Sequence, residues 1–219
     1  IRGGTIMSYL KRQQAPKNWP IPRKGTAYVV KPKSGTIPLL IVFRDMLKIT
    51  QNRKEVKKII HDKLILVNNK IVRDETNGVN LFDSISIIPS KKYYRVELNE
   101  KGKFSLEEIK ESETNHKVSK IVDKKILNGK KIQVNLIDGN NFISNVKCNT
   151  GDSALINFKE KKIEKCLPLI EGARVVVFAG KHAGKKGVIE KISSEEKMVS
   201  LKTKDENINA LIKQIMVIN

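Results

Sequence analysis

The segment from Gly180 to Gly187 combines glycines and cations at a spacing that suits phosphate binding. Glycine lets the backbone turn with positive φ and approach a phosphate closely. Lys181, Lys185 and Lys186 would neutralise that phosphate, and His182 could hydrogen-bond to RNA. We therefore predict a loop that binds a nucleic-acid backbone.

The residue order in this loop excludes a nucleotide-binding P-loop. The order G-x-x-x-x-G-K-[ST] is absent, and the β-prone run Val188–Ile192 follows where a P-loop requires a helix. A second β-prone run, Arg174–Phe178, precedes the loop. Two strands around a basic, glycine-rich loop resemble a KOW motif, which occurs in ribosomal proteins and transcription elongation factors.

The front of the chain is strongly basic. The whole sequence has 43 Lys and Arg against 23 Asp and Glu, a net charge of +20, which points to a polyanionic partner. Residues 1–44 hold nine of these cations and no acidic residue. Five prolines in the same stretch forbid a continuous helix, so we predict an extended arm without a core of its own. Tyr9, Trp19 and Tyr28 could stack on unpaired bases.

A compact helical and hairpin module is expected next. Residues 39–49 predict a mostly buried helix, and Asn52 with Glu55 forms a capping-box pattern that starts a second, amphipathic helix over 53–62. Two β-prone runs around Asn68-Asn69 predict a tight hairpin, since Asn tolerates left-handed backbone. Residues 81–88 predict one more strand.

These residues are similar to a known family. The segments "ILVNNKIVRDE" and "LFDSISII" look like the αL RNA-binding module of small-subunit ribosomal protein four, which some pseudouridine synthases and tRNA synthetases share. The segments "YLKRQQAPKNWPIPRKG" and "IPLLIVFRDMLKI" resemble the e-type form of that protein, and its archaeal form most of all. The loop between Lys33 and Leu39 is shorter than the family pattern. The upstream match rests on Lys11, Arg12, Ala15, Pro16, Trp19, Arg23 and Lys24.

The middle of the chain predicts repeated β-hairpins. Turn signals at Lys101-Gly102, Asn128-Gly129 and Asp138-Gly139 separate β-prone runs between Tyr93 and Cys148. The segments "HKVSKIVDKKI" and "KIQVNLIDGNN" also resemble the e-type family. Cys148 and Cys166 show neither a C-x-x-C pairing nor a nearby metal-ligand spacing, so we expect no disulfide framework, no zinc site and a reducing compartment.

The predicted fold class is α+β and β-rich. We expect four parts in chain order: an extended basic N-terminal arm at 1–36, an αL-type RNA-binding module of two helices plus a hairpin at 37–89, a central β-rich domain at 90–170, and a C-terminal KOW domain, an SH3-like β-barrel, at 171–219. Neither a membrane span nor a secretory signal is expected.

The resemblance implies a structural constituent of the small ribosomal subunit, without catalytic residues, cofactor or metal. Its expected partners are small-subunit ribosomal RNA and neighbouring small-subunit proteins, with no membrane and no small-molecule substrate. We expect a monomer within the cytoplasmic ribosome. The predicted rRNA-binding residues are Lys11, Arg12, Lys17, Trp19, Arg23, Lys24, Lys31, Arg44, Lys48, Arg53, Lys57, Lys58, Lys63, Lys70, Arg73, Lys181, His182, Lys185 and Lys186.

Three other functions are compatible with basic RNA-binding modules. An RNA-modifying enzyme would need a nucleophile in residues 90–170, for which Asp138 and Cys148 are the candidates. A KOW-containing transcription or translation factor would need an exposed apolar docking patch. Binding to an anionic membrane would need an amphipathic basic helix, and prolines stand where that helix would be.

Overall fold

The chain folds into two compact units. The computed structural model describes residues 9–33, 35–127, 131–144, 146–193, 197–203 and 206–218. Unit 1 runs to Glu97 and includes 103–110, and unit 2 comprises 98–102 and the residues from Glu111 onward. The finer division into four parts remains a prediction.

Unit 1 begins with a hairpin of strands β1 (Tyr9–Lys11) and β2 (Tyr28–Val30), which pair antiparallel. Between them the chain passes through a 3-10 turn at Arg12–Gln14 and then buries Trp19, whose indole N–H donates to the Thr36 carbonyl at 3.0 Å. Trp19 and Val29 of this segment are therefore buried, although the prolines suggested an arm without a core of its own.

Two short helices follow. Strand β3 (Ile37–Pro38), which pairs with β6 (Gly78–Val79), leads into helix α1 (Leu39–Ile41) and one π-helical turn (Val42–Met46). The predicted helix over 39–49 is thus confirmed at its start, but the observed helical segment ends three residues earlier than predicted, at Met46. Lys48 adopts φ +54° and the Ile49 N–H donates to the Phe43 carbonyl, which is the geometry that terminates a helix.

Helix α2 (Arg53–His61) begins where the capping pattern predicted. The Asn52 side chain makes no capping bond to the backbone, and Glu55 reaches back to the backbone N–H of Gln51 at 2.8 Å. Val56 and Ile60 are buried on one face of the helix. The opposite face therefore carries its cations in solvent.

A five-stranded sheet forms the rest of unit 1, in the order β5-β4-β7-β8-β9. Asn68 and Asn69 have φ of +49° and +60°, as a two-residue hairpin turn requires, which confirms the predicted hairpin. The strands are β4 (Ile65–Val67), β5 (Lys70–Ile71), β7 (Ser84–Ile87), β8 (Lys92–Leu98) and β9 (Phe104–Glu108).

Unit 2 contains a second five-stranded antiparallel sheet, in the order β12-β11-β10-β13-β14. Its core includes Ile121, Val134 and Ile156. The Asn128-Gly129 turn lies outside the described residues. The strands are β10 (His116–Ile126), β11 (Ile132–Leu136), β12 (Asn141–Ile143), β13 (Ser153–Asn157) and β14 (Lys162–Leu167).

The two cysteines meet in this core. The structure joins Cys148 to Cys166 in a disulfide, with their Cα atoms 5.8 Å apart. The expectation of no disulfide was wrong because sequence spacing does not report spatial distance. Pairing of Cys166 with Ala154 across two strands brings it beside the core that also holds Cys148.

The last sheet has the order β18-β17-β16-β15-β19. Val175, Ile189, Leu201 and Ile215 are among its buried core residues. The strands are β15 (Arg174–Val177), β16 (Lys186–Ser193), β17 (Met198–Lys202), β18 (Asn207–Leu211) and β19 (Ile215–Val217).

The described residues thus form several sheets and two short α-helices, which confirms an α+β, β-rich fold. No helix in these ranges is long and apolar enough to span a bilayer.

Candidate nucleic-acid interface

Helix α2 presents a cationic face that a buried carboxylate orders. Arg53, Lys57 and Lys58 are all exposed. Glu75, buried on the loop before β6, accepts hydrogen bonds from Arg53 Nε at 2.9 Å and Nη2 at 2.5 Å. Its Oε1 also lies 3.7 Å from Lys57 Nζ. Glu75 therefore holds Arg53 and lies close to Lys57, while both cationic side chains stay more than half exposed.

The Arg12 guanidinium makes three hydrogen bonds to the segment that connects β1 and β2. It donates from Nε to the Thr26 carbonyl at 2.6 Å, from Nη1 to the Pro22 carbonyl at 2.8 Å and from Nη2 to Thr26 Oγ1 at 2.8 Å. All three acceptors are neutral, so these bonds hold the guanidinium without cancelling its charge. Gly25 at φ +142° leaves room for it, because a Cβ there would lie 3.1 Å from Arg12 Cζ.

A cleft of about 480 Å³ gathers several of the predicted cations of unit 1. Arg12, Lys17 and Arg23 line it together with Lys103. Lys103 was not predicted as a site residue, although its position directly after the Lys101-Gly102 turn could have indicated an exposed cation. Three predicted cations from one segment thus share a surface with a lysine that follows about eighty residues later.

The remaining predicted residues of unit 1 differ in exposure. Trp19 is 2% exposed, so its ring faces lie against protein. Arg44 is half-buried and pairs with Asp45 at 2.9 Å. The exposed cations are Lys11, Lys24, Lys31, Lys48, Lys63, Lys70 and Arg73.

The basic loop of unit 2 has the backbone expected at two of its three glycines. Gly180 and Gly184 have φ of +88° and +91°. Gly184 is also packed tightly, since an added Cβ would overlap the Asn99 carbonyl oxygen. Gly187 lies in β16 for a different reason: a Cβ there would come within 2.7 Å of the Lys202 carbonyl oxygen, so it permits a close approach of two strands.

The four predicted residues of this loop are not equivalent. Lys181 and Lys186 are exposed, and His182 and Lys185 are half-buried. Lys185 donates to Glu206, and that hydrogen bond lowers the pKa of the Glu206 carboxyl. Lys185 therefore already has an anionic partner with which a phosphate would compete.

A cleft of about 860 Å³ adjoins the loop within unit 2. It is lined by Lys185 and Lys186, by Lys101, which was not predicted, and by one carboxylate, Glu100. Clefts lined by cations focus the electrostatic potential and attract polyanions.

The candidate nucleophiles of a modifying enzyme have structural roles instead. Asp138 Oδ2 accepts a hydrogen bond from Lys117 Nζ at 2.6 Å, and both side chains are buried. Cys148 is in the disulfide. Among the described residues, no group of three or more His, Cys, Asp or Glu could hold a metal ion.

Cationic clefts on small β-rich units are typical of structural nucleic-acid-binding proteins. The model of the ribosomal family S4e matches residues 90–163, and that of the RS4NT (NUC023) domain matches residues 8–36. The chain belongs to the S4e family of ribosomal proteins.

Relatives resemble the chain over nearly its whole length. Small ribosomal subunit protein eS4 of Methanocella arvoryzae is 36% identical, covering 96% of this chain and 94% of that protein. Its counterpart in Archaeoglobus fulgidus is 34% identical, covering 97% and 94%. The crystal structure of the 30S ribosomal protein S4e from Thermoplasma acidophilum matches with a TM-score of 0.72 at 27% identity, covering 84% of this chain and 94% of that one.

Proposed function

We propose that this protein is a structural constituent of the small ribosomal subunit that binds ribosomal RNA and has no catalytic activity. The observation that carries the proposal is the 36% identity to an eS4 protein over 96% of the chain. Its partners are then ribosomal RNA and neighbouring small-subunit proteins, and its location is the cytoplasmic ribosome. Neither an RNA-modifying enzyme nor a separate KOW factor has comparable support.

The finer architecture belongs to the same proposal. Residues 1–36 act as a basic arm, 37–89 as the αL module, 90–170 as the central domain and 171–219 as a KOW barrel. The Asn68-Asn69 turn supports the second part. Gly180 and Gly184, both with positive φ around the basic loop, support the fourth.

Binding is mainly electrostatic in this proposal. Lys and Arg displace condensed counterions from phosphates, so affinity falls steeply with salt. Only eight of the 43 cations are Arg, which favours recognition of RNA shape over bidentate reading of base edges. The predicted site residues other than the buried Trp19 remain proposals, and Lys101 and Lys103 join them because they line clefts with several of these residues.

The first experiment is sedimentation of cell lysate through sucrose gradients at low and moderate salt, with detection of this chain. We expect it to migrate with the small subunit at both salt concentrations. Migration as free protein, or with transcription complexes, would contradict the proposal.

A matched pair of lysine variants tests the electrostatic mechanism. Lys186→Gln removes an exposed cation of the basic loop, and Lys159→Gln removes an exposed lysine outside the predicted sites. Binding to a small-subunit rRNA fragment should weaken with the first change, and the slope of log K against log salt should become shallower by about 0.9. An equal loss of RNA affinity with both changes would indicate that the RNA is attracted by the overall charge and not by the basic loop.

A further inference from the structure

Two exposed tyrosines form a pair on the β1–β2 hairpin. Tyr9 is 45% exposed and Tyr28 is 56% exposed, and their rings meet edge to face with centroids 4.9 Å apart. By contrast, Trp19 in the same segment is buried. Exposed aromatic faces in a basic protein are the usual platform for stacking of unpaired bases.

A small cleft of about 240 Å³ opens beside this tyrosine pair. Tyr9 and Tyr28 line it, and the almost fully buried Leu40 and Ile41 of helix α1 lie beneath it. Its volume is below the roughly 300–1,000 Å³ that drug-sized ligands occupy. A single planar ring system with apolar faces therefore suits it better than a larger ligand.

Two arginines also line the cleft, and both are oriented in the same way. Arg44 donates from Nε and Nη2 to the carboxylate of Asp45, and Arg53 donates from Nε and Nη2 to Glu75. Within the described residues, Nη1 of neither arginine takes part in such a bond. A guanidinium fixed through one edge keeps donors for a second acceptor, such as a base edge or a phosphate.

We infer that this cleft receives one unpaired nucleobase of RNA, stacked on the Tyr9–Tyr28 pair, with Arg44 and Arg53 donating to its polar edge or to the adjoining phosphate. The inference rests on the proposed function and adds a ligand to it, an unpaired base outside a helix. The other predicted cations need only the phosphates of the RNA backbone. A fully paired helix cannot occupy the cleft because its bases are stacked on one another.

The test uses the full chain and two RNA hairpins that differ by one unpaired adenosine in the stem. Fluorescence anisotropy gives the two affinities at fixed salt. We expect the hairpin with the bulged adenosine to bind more tightly. Tyr28→Ala should remove this preference with a roughly tenfold loss of affinity for the bulged hairpin, and leave the paired hairpin unchanged.

Three control variants separate stacking from charge and from folding. Tyr28→Phe keeps the ring and should keep the preference, and Tyr9→Ala should reduce it as Tyr28→Ala does. Lys186→Gln should weaken both hairpins by the same factor. Equal binding of both hairpins by the unmodified protein, or equal loss for both with Tyr28→Ala, would overturn the inference. Affinity that does not respond to salt or to Lys186→Gln would instead overturn electrostatic RNA binding itself.

Discussion

The Arg53–Glu75 ion pair of unit 1 keeps its arginine in water, whereas strand β10 of unit 2 buries two lysines three residues apart. In the Arg53–Glu75 pair the arginine side chain is 55% exposed. Lys117 and Lys120 of β10 are 3% and 4% exposed. Lys117 donates to Asp138, and Lys120 donates to the carbonyls of Ile212 and Ile215, the latter at 2.7 Å.

This difference shows that only part of the net charge of the protein is accessible to a polyanionic partner. A buried ammonium costs several kcal/mol of desolvation, so it persists only where acceptors surround it. Lys117 and Lys120 belong to the fold of unit 2, while exposed cations of unit 1 such as Lys11, Lys24 and Lys70 remain accessible to a polyanion. Four variants, from the largest expected effect to the smallest, test this contrast.

Asp138→Ala should have the largest effect. It removes the carboxylate from the buried ammonium of Lys117, which typically costs about 3–5 kcal/mol of the free energy of unfolding. Denaturant unfolding measures the loss. The double variant Lys117→Met/Asp138→Leu, which removes both charges, should be less destabilised, and a loss as large as that of Asp138→Ala would mean that packing rather than charge is responsible.

Lys120 should make stability depend on pH. Burial lowers the pKa of Lys120 from its usual 10.5 to about 8. Below pH 8 both the folded and the unfolded state carry the proton, and between pH 8 and 10.5 the unfolded state binds more protons. The free energy of unfolding should therefore rise with pH across that window, by at most about 3 kcal/mol.

The control for this pH effect is Lys120→Met, which lacks the titrating amine. The difference in free energy of unfolding between the unmodified protein and this variant should grow from pH 8 to pH 10. A difference that stays constant would show that Lys120 titrates normally.

Glu75→Gln should have an intermediate effect. It keeps the size of the side chain but removes the charge that holds Arg53 and Lys57, and hydrogen bonds involving charged groups contribute about 1.5–3 kcal/mol. We expect a loss of about 1–2 kcal/mol in thermal or denaturant unfolding, because both cations are exposed. Glu190→Gln, whose Lys202 partner lies 4.0 Å away at an exposed site, should change stability by less than about 0.5 kcal/mol.

Asp74→Asn should have the smallest effect of the four changes, approaching that of the Glu190→Gln control. The hydrogen bond from Lys33 lowers the pKa of Asp74 to about 2, so its contribution is complete above pH 3.8 and is lost as the pH falls through 2. The Lys33 side chain is 67% exposed, and water screens the pair to less than about 1 kcal/mol. The free energies of unfolding of the unmodified protein and of Asp74→Asn should nearly coincide at pH 5–7. A difference of several kcal/mol in that range would show that exposed ion pairs of unit 1 also stabilise the fold.

Features encoded by neighbouring residues could be predicted from the sequence. The Asn68-Asn69 turn and the start of helix α2 follow from local backbone preferences, and the structure contains both. The glycines of the basic loop likewise predict positive φ, which the structure has at Gly180 and Gly184. Which cations lie on the loop was therefore accessible from the residue order alone.

Features that depend on distant residues could not be predicted in this way. Trp19 has the sequence surroundings of an exposed residue, but it is buried, and the distant Thr36 carbonyl accepts a hydrogen bond from its indole N–H. The burial of Lys120 depends on carbonyls more than ninety positions later, and the Cys148–Cys166 bond depends on strand pairing. Lys101 and Lys103 were missed because their turn was interpreted only as a connection between strands.

The hydrogen bonds of Lys120 also constrain the order of events during synthesis. Lys120 is synthesised early, but the residues that accept its hydrogen bonds, Ile212 and Ile215, are synthesised much later. The same is true of Val217, whose N–H donates to Ser153 Oγ. At typical elongation rates this delay is roughly 5–20 s. During that interval the sheet around β10 has an ammonium without its final acceptors, so we expect unit 1 to reach its native state on the nascent chain first.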